Sequence, residues 1–254
     1  MDTLIPRALS AFFASNPRVA LAFSGGTDSA YLLYAARTCG CEVRAYCVQS
    51  AFQPAFELED ARHLAESVGA KMEVISVDVL ADHTIVANPA DRCYHCKRAL
   101  FTALFERARS DGFDVLIDGT NASDDANDRP GMLALKQLGV LSPLRLCGIT
   151  KAEVREYSRG AGLFTWSKPA YACLATRVPT GEPITAELLA RVEAAELALF
   201  KLGFSDLRVR IFHGAARLQF PAAQLETVVK RRREIREKLK PWFDIVLLDM
   251  EDRG

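Results

Sequence analysis

The apolar run Val19-Ala20-Leu21-Ala22-Phe23 breaks off at Ser24-Gly25-Gly26, and a helical period starts at Asp28 and continues to about Arg37. That reads as strand, tight turn and helix. The unit recurs as strand Val43–Val48 with helix Pro54–Val68, strand Met72–Val77 with helix Cys93–Arg109, and strand Val115–Asp118 with a helix near Leu133–Leu138. Strands alternating with helices of this length predict an α/β fold, a parallel sheet wrapped by helices on both faces. Thr150-x-x-Glu153 has the capping-box pattern and opens a further helix to about Gly160. From Phe164 to Pro183 the pattern gives way to an irregular loop bearing Pro, Gly and Thr, read as a linker and a site loop. Beyond it follow helix Thr185–Leu202, strands Leu207–Phe212 and Arg217–Phe220 turning at Gly214, helix Ala222–Leu239 and a last strand Phe243–Leu248. These make a small α+β domain. The expected division is residues 1–180 and 181–254.

Composition narrows the partners. Lys+Arg and Asp+Glu both number 32 in 254 residues, so the formal net charge is zero. A dedicated nucleic-acid binder usually carries a basic excess over its whole domain, which makes nucleic acid a second-choice partner here. The run Lys230-Arg231-Arg232-Arg233 reads as a solvated helix face, because Glu234 and Glu237 intersperse it and Val228, Val229, Ile235 and Leu239 supply an apolar stripe. No apolar run approaches the roughly 20 residues a membrane span needs, and the first residues show no basic leader, so the expectation is a cytoplasmic protein with no membrane partner. The seven cysteines are an odd number without a secretory setting, which disfavours a disulfide framework and leaves thiols or metal ligands.

Ser24-Gly25-Gly26-Thr27-Asp28-Ser29 lies where the first strand meets the first helix, the place where backbone N–H groups and the helix dipole converge on an anion. The glycines permit close backbone approach, and Ser24, Thr27 and Ser29 add hydroxyls. Neither a P-loop with its lysine nor a G-x-G-x-x-G fingerprint is present, so the expectation is a lysine-free cradle for pyrophosphate. Asp118-Gly119-Thr120-Asn121 ends a later strand and falls on the same ligand-binding edge. Cys93 and Cys96 stand three apart at a helix start and share a face, while Cys173 lies far along the chain. Three thiolates are one ligand short of a closed zinc or iron–sulfur site. A [4Fe–4S] cluster with one open iron, a zinc completed by His95 or an outside ligand, and three separate thiols all remain open. Cys39, Cys41, Cys47 and Cys147 lie in or beside apolar elements and read as core.

The Ser24–Ser29 motif resembles the S-G-G-x-D-S signature of the PP-loop ATP pyrophosphatases. Asp91-Arg92-Cys93-Tyr94-His95-Cys96-Lys97, Asp128-Arg129-Pro130-Gly131, Ser142-Pro143-Leu144, Thr150-Lys151-Ala152-Glu153-Val154-Arg155, Trp166-x-Lys168-Pro169, Ala172-Cys173-Leu174-Ala175-Thr176-Arg177 and Pro183-Ile184-Thr185 extend the likeness over nearly the whole chain. Their order and spacing are similar to the LarE family of sulfur transferases that build the nickel-pincer nucleotide. The resemblance implies that ATP with Mg²⁺ adenylates a carboxylate of pyridinium-3,5-biscarboxylic acid mononucleotide, which is then converted to a thiocarboxylate. It makes residues 1–180 a PP-loop domain and 181–254 a domain for oligomerisation and substrate contacts. Ser24 to Ser29, Gly119 and Asn121 become nucleotide contacts, Asp28 and Cys173 catalytic residues. Family members divide by sulfur source. In one branch the cysteine matching Cys173 gives up its sulfur and becomes dehydroalanine. In the other it joins a C-x-x-C to hold a cluster recharged by sulfide or a donor protein, and the pair Cys93 and Cys96 points to that branch.

Anionic ends of substrate and AMP call for arginines, whose planar guanidinium pairs bidentately with phosphate or carboxylate. Candidates are Arg129, Arg177, and the pair Arg208 and Arg210, which project to one side of a strand. That pair resembles a phosphate-binding pair placed by the family at a subunit interface, which implies a homo-oligomer. Lys97, beside the cysteine pair, is a further phosphate contact. Glu193 and Glu196 share a helix face and read as solvent-exposed acids. A tRNA thiolase, an ammonia-using synthetase and a nucleotide-gated metal carrier without chemistry are the competing readings.

Overall fold

The computed structural model describes residues 4–124 and 129–253, with Arg129 as backbone only. The chain divides into two compact units, Met1–Val79 with Asp91–Lys168, and Leu80–Ala90 with Pro169–Gly254. The first contains α1 (Arg7–Ser15), β1 (Arg18–Ala22), α2 (Thr27–Thr38), β2 (Glu42–Gln49), α3 (Ala55–Ser67) and β3 (Lys71–Ser76). The short α4 (His83–Val86) falls in the second unit. The first unit resumes with α5 (Arg92–Ser110), β4 (Leu116–Ile117), α6 (Arg129–Gln137), α7 (Pro143–Leu146) and α8 (Lys151–Gly160).

Its four strands are parallel in the order β3-β2-β1-β4. The alternation of β1 sends Val19 and Leu21 to one face and Ala20 to the other, as a strand period of two requires. On the first face they meet Leu9 and Phe13 of α1, Leu32 and Leu33 of α2, Leu64 of α3 and Val154 of α8. Ala20 packs instead with Tyr46, Leu104 of α5 and Leu135 of α6. The sheet is therefore covered on both sides, as the alternating strand and helix pattern predicts. Strand order reverses between β1 and β4, and the carboxyl edge at that reversal is where open α/β sheets bind ligands.

The second unit adds α9 (Ala186–Lys201), β5 (Arg208–Phe212), β6 (Ala215–Gln219), α10 (Ala222–Lys230), α11 (Arg232–Leu239) and β7 (Val246–Leu248). β5 and β6 form an antiparallel hairpin, β7 joins β6 in parallel, and Val209, Ile211, Ala216 and Leu218 face its core. The single helix expected over Ala222–Leu239 breaks at Arg231, whose backbone leaves the helical region (φ −95°, ψ 14°) while its Nη1 donates to Leu202 O. The segment around α4 is sewn into this unit by Ile184 N donating to Val86 O at 2.8 Å and by the Asn88 amide donating to Pro179 O at 2.8 Å. Among the described residues no helix is long and apolar enough to cross a membrane.

Candidate active site

The phosphate-type loop follows β1 and opens α2. Gly25 takes a positive φ of 69°, and a Cβ there would stand 2.9 Å from the Ala61 backbone, so this position accepts only glycine without strain. Ser24 Oγ lies 3.2 Å from Ser29 Oγ and accepts from Gly26 N at 3.3 Å, which curls the turn around its own hydroxyls. Gly119, after β4, packs so closely that a Cβ would come 2.9 Å from Ser29 N. A cavity of about 270 Å³ opens between these turns, with Ser24, Gly26, Asp28, Ser29, Gly119 and Lys97 on its walls.

Not every expected member faces it. Thr27 is buried and spends its hydroxyl on Thr165 O at 2.9 Å, fastening a short 3-10 turn rather than presenting a donor to a ligand. Gly25 serves packing against α3. Asn121 is buried and acts through Asp28, donating from Nδ2 to Oδ1 at 3.3 Å. The lysine-free cradle is also corrected. Lys97 of α5 lines the cavity, and Lys151 Nζ, at the first position of α8, lies 2.5 Å from Asp28 Oδ2. Lys97 is an expected phosphate contact, whereas Lys151, far along the chain from the glycine turn, is not. Asp118, another wall residue, accepts from Ser142 Oγ at 2.6 Å and from Thr120 Oγ1 at 2.5 Å. Burial nevertheless pushes its carboxyl above the usual range. The cavity thus offers hydroxyls, backbone N–H groups and the Lys97 ammonium to an anion, with Lys151 close by on Asp28, and the carboxylates of Asp28 and Asp124 to a cation. Hard oxygen donors of this kind suit Mg²⁺, which takes one or two carboxylates and fills the rest of its shell from phosphates and water.

Cys93 and Cys96 lie near the start of α5, just before Lys97, whose side chain lines the nucleotide-type cavity of the first unit. Arg92 Nη2 reaches Cys93 Sγ at 3.7 Å, and His95 Nε2 pairs with Asp91 Oδ2 at 3.2 Å. Among the described residues no three His, Cys, Asp or Glu side chains gather in a set fit for a metal ion. Cys93 and Cys96 are two of the three expected thiol ligands, and the third, Cys173, belongs to the other unit. None of the seven cysteines is in a disulfide, and burial pushes Cys41 and Cys47 up to about 11, which marks them as inert packing thiols.

In the second unit Arg177, expected to clamp a ligand anion, is wholly buried and wholly occupied. Nε and Nη2 donate to the Glu196 carboxylate at 2.9 and 3.1 Å, and Nη1 donates to Ala172 O at 2.8 Å and Cys173 O at 3.2 Å. Glu196 is likewise no surface acid: it is 1 % exposed, also takes the Tyr171 hydroxyl and Val209 N, and anchors the cluster. Glu193 is half-buried. The Arg177–Glu196 pair therefore fixes the backbone on which Cys173 is carried. Arg208 and Arg210 do share one strand side, and with Tyr171, Thr176, Gln219 and Arg253 they line a second cavity of about 420 Å³. Arg208 stacks over Tyr171 and donates to Ala170 O, while Arg210 donates to Thr176 O at 2.6 Å. Burial, then the charges of Arg177 and Arg253, push the Arg208 guanidinium down, although Glu196 and Asp206 stand close by and partly offset them. Arg253, near the chain end, escaped sequence reading because no motif surrounds it. The side chain of Arg129 lies outside the described residues.

One family and three relatives resemble this chain. The family model for the queuosine biosynthesis protein QueC matches residues 18–92, the stretch from β1 through the phosphate-type loop to the start of α5. An uncharacterised protein of Synechocystis is 39 % identical over 87 % of this chain and 83 % of its own length. The pyridinium-3,5-bisthiocarboxylic acid mononucleotide synthase of Lactiplantibacillus plantarum is 33 % identical over 92 % of this chain and 86 % of its own. The tRNA-specific 2-thiouridylase MnmA of Clostridium botulinum shares 28 % identity over 61 % of this chain and 53 % of its own length. With the loop, the sheet order and a full-length relative in agreement, the chain belongs to the LarE family of sulfur-transferring PP-loop enzymes.

Proposed function

We propose that this enzyme uses ATP and Mg²⁺ to adenylate the carboxylates of pyridinium-3,5-biscarboxylic acid mononucleotide and replaces AMP with sulfur, making a thiocarboxylate in nickel-pincer nucleotide synthesis. The observation that carries the reading is the glycine-lined cavity at the β1/β4 reversal in a chain that aligns over most of its length with the Lactiplantibacillus synthase. A carboxylate oxygen of the substrate forms a bond to the α-phosphorus, and the electron pair of the breaking bond leaves with pyrophosphate. Ser24, Ser29, Gly26 and Lys97 hold that leaving group, and Asp28 is the residue that would hold Mg²⁺. The metal, when bound, offsets the charge of the phosphates. The arginine cavity of the second unit suits the 5′-phosphate of the mononucleotide, because guanidinium groups bind phosphate bidentately.

For the sulfur, the pair Cys93 and Cys96 beside Lys97 supports a [4Fe–4S] cluster completed by Cys173, fed by sulfide or a donor protein. The alternative reading, in which Cys173 surrenders its own sulfur, rests on that cysteine standing on a backbone held by Arg177. Cysteines without disulfides accord with the cytoplasm, and the family reading carries a homo-oligomer. The deciding experiment is incubation under anaerobic conditions with ATP, Mg²⁺ and the biscarboxylate nucleotide, with mass spectrometry of the nucleotide and of the protein. AMP and a thiocarboxylate are expected, and their absence sinks the proposal. An unchanged Cys173 in a brown protein supports the cluster. A colourless protein that loses the mass of H₂S from Cys173 supports sacrifice.

A further inference from the structure

The ion pair between Lys151 and Asp28 sits in a place where stability does not explain it. Its side chains are 32 % and 22 % exposed, and pairs this open to water add little to stability. Yet the fold spends several contacts on aiming the lysine. Thr150 and Glu153 form a full capping box at the start of α8, Thr150 N donating to Glu153 Oε2 at 2.8 Å. Lys151 N donates to Ser123 Oγ at 3.0 Å. Asn121, two residues from Ser123, holds the other oxygen of Asp28. The stem of Lys151 is thus anchored, and its ammonium occupies the carboxylate best placed to receive a divalent cation.

The charges around the cavity make this arrangement informative. Asp28, Asp118 and Asp124 line it, against Lys97 alone among the lining residues. A polyphosphate entering such a space needs more positive charge than one lysine, while a divalent cation approaching Asp28 meets an ammonium already seated there. Both conflicts resolve with one movement. Resting on the adenylation reading above, we propose that Lys151 is an exchangeable counter-ion: it neutralises Asp28 in the empty site, and when a divalent cation takes the carboxylate it swings, tethered by α8, onto the oxygens of the pyrophosphate portion of the nucleotide. The exchange breaks and forms ion pairs only, and no proton changes hands. It couples the two ligands, since each is bound better once the other has arrived.

The test uses the whole protein and two probes that need neither turnover nor the pyridinium substrate: Mn²⁺ alone, followed by its electron paramagnetic resonance signal, and inorganic pyrophosphate with Mg²⁺, followed by calorimetry. In Lys151→Met the competitor for Asp28 is gone, so Mn²⁺ should bind about two- to fivefold more tightly than to the unaltered protein. The same variant should bind pyrophosphate about tenfold more weakly, the loss of a charge-assisted bond. Lys151→Arg, which keeps the charge, should restore pyrophosphate affinity to within about threefold. A lysine that merely braces the fold would not tighten Mn²⁺, so Mn²⁺ binding that is unchanged or weaker in Lys151→Met overturns the proposal, as does unchanged pyrophosphate affinity. Should the unaltered protein form no AMP in the anaerobic assay, the adenylation reading falls while these titrations still judge the exchange.

Discussion

Single residues carry the chemistry here, and several of them carry it from places a sequence pattern does not mark. Ser24, Gly26, Asp28, Ser29 and Gly119 were legible because phosphate loops have a fixed grammar of glycine, hydroxyl and acid at a strand-to-helix turn. Thr27 obeys the same grammar yet turns inward, since the hydroxyl of a first-turn residue can serve packing as readily as a ligand. Glu196 and Arg177 were misjudged for a related reason: charge predicts exposure only until two opposite charges find each other in a closed space. Removing one of them leaves the other buried and unpaired. Glu196→Ala should therefore cost about 3–5 kcal/mol in denaturant unfolding, whereas Glu196→Gln, which retains one acceptor, should cost visibly less. Asp28→Ala should abolish pyrophosphate release with little change in melting temperature, which an assay for pyrophosphate and a thermal scan check together.

At the scale of elements, the alternation of strands and helices was readable because the inner strands β1 and β4 are buried and written in short apolar runs, while the half-buried edge strand β3 still keeps Val74 and Ile75 at its centre. The short helices α1, α4 and α7 escaped because four to nine residues give too little period to stand out. The break at Arg231 escaped because nothing in a basic run distinguishes a residue that leaves the helix to bind a carbonyl. Two substitutions test how tightly elements must meet at the cavity. Gly119→Ala drives a methyl into the first turn of α2 and should abolish binding of inorganic pyrophosphate in calorimetry. Thr150→Ala removes one half of the capping box of α8 and should lower stability by about 1 kcal/mol in denaturant unfolding.

On the scale of the whole molecule, each unit holds its own polar cavity, one suited to a polyphosphate and one crowded with arginines. If the second receives the phosphate of the mononucleotide, Arg253→Ala should raise the KM for that substrate about tenfold while barely moving the KM for ATP. With the corresponding nucleoside, which lacks the phosphate, the same substitution should change nothing, and steady-state kinetics on the two substrates measures both. The small unit owes part of its order to residues 80–90, which the chain contributes from the midst of the other: the Asn88 amide and the Val86 carbonyl secure the strip that leads into α9. A fragment starting at Pro169 would lack both partners and should fray there. Recombination that exchanged the carboxyl-terminal third between relatives would likewise separate this strip from its supports. Inheritance of the two halves is thereby linked, and a hybrid keeps its shape only when the insert after Val79 travels with the tail it secures.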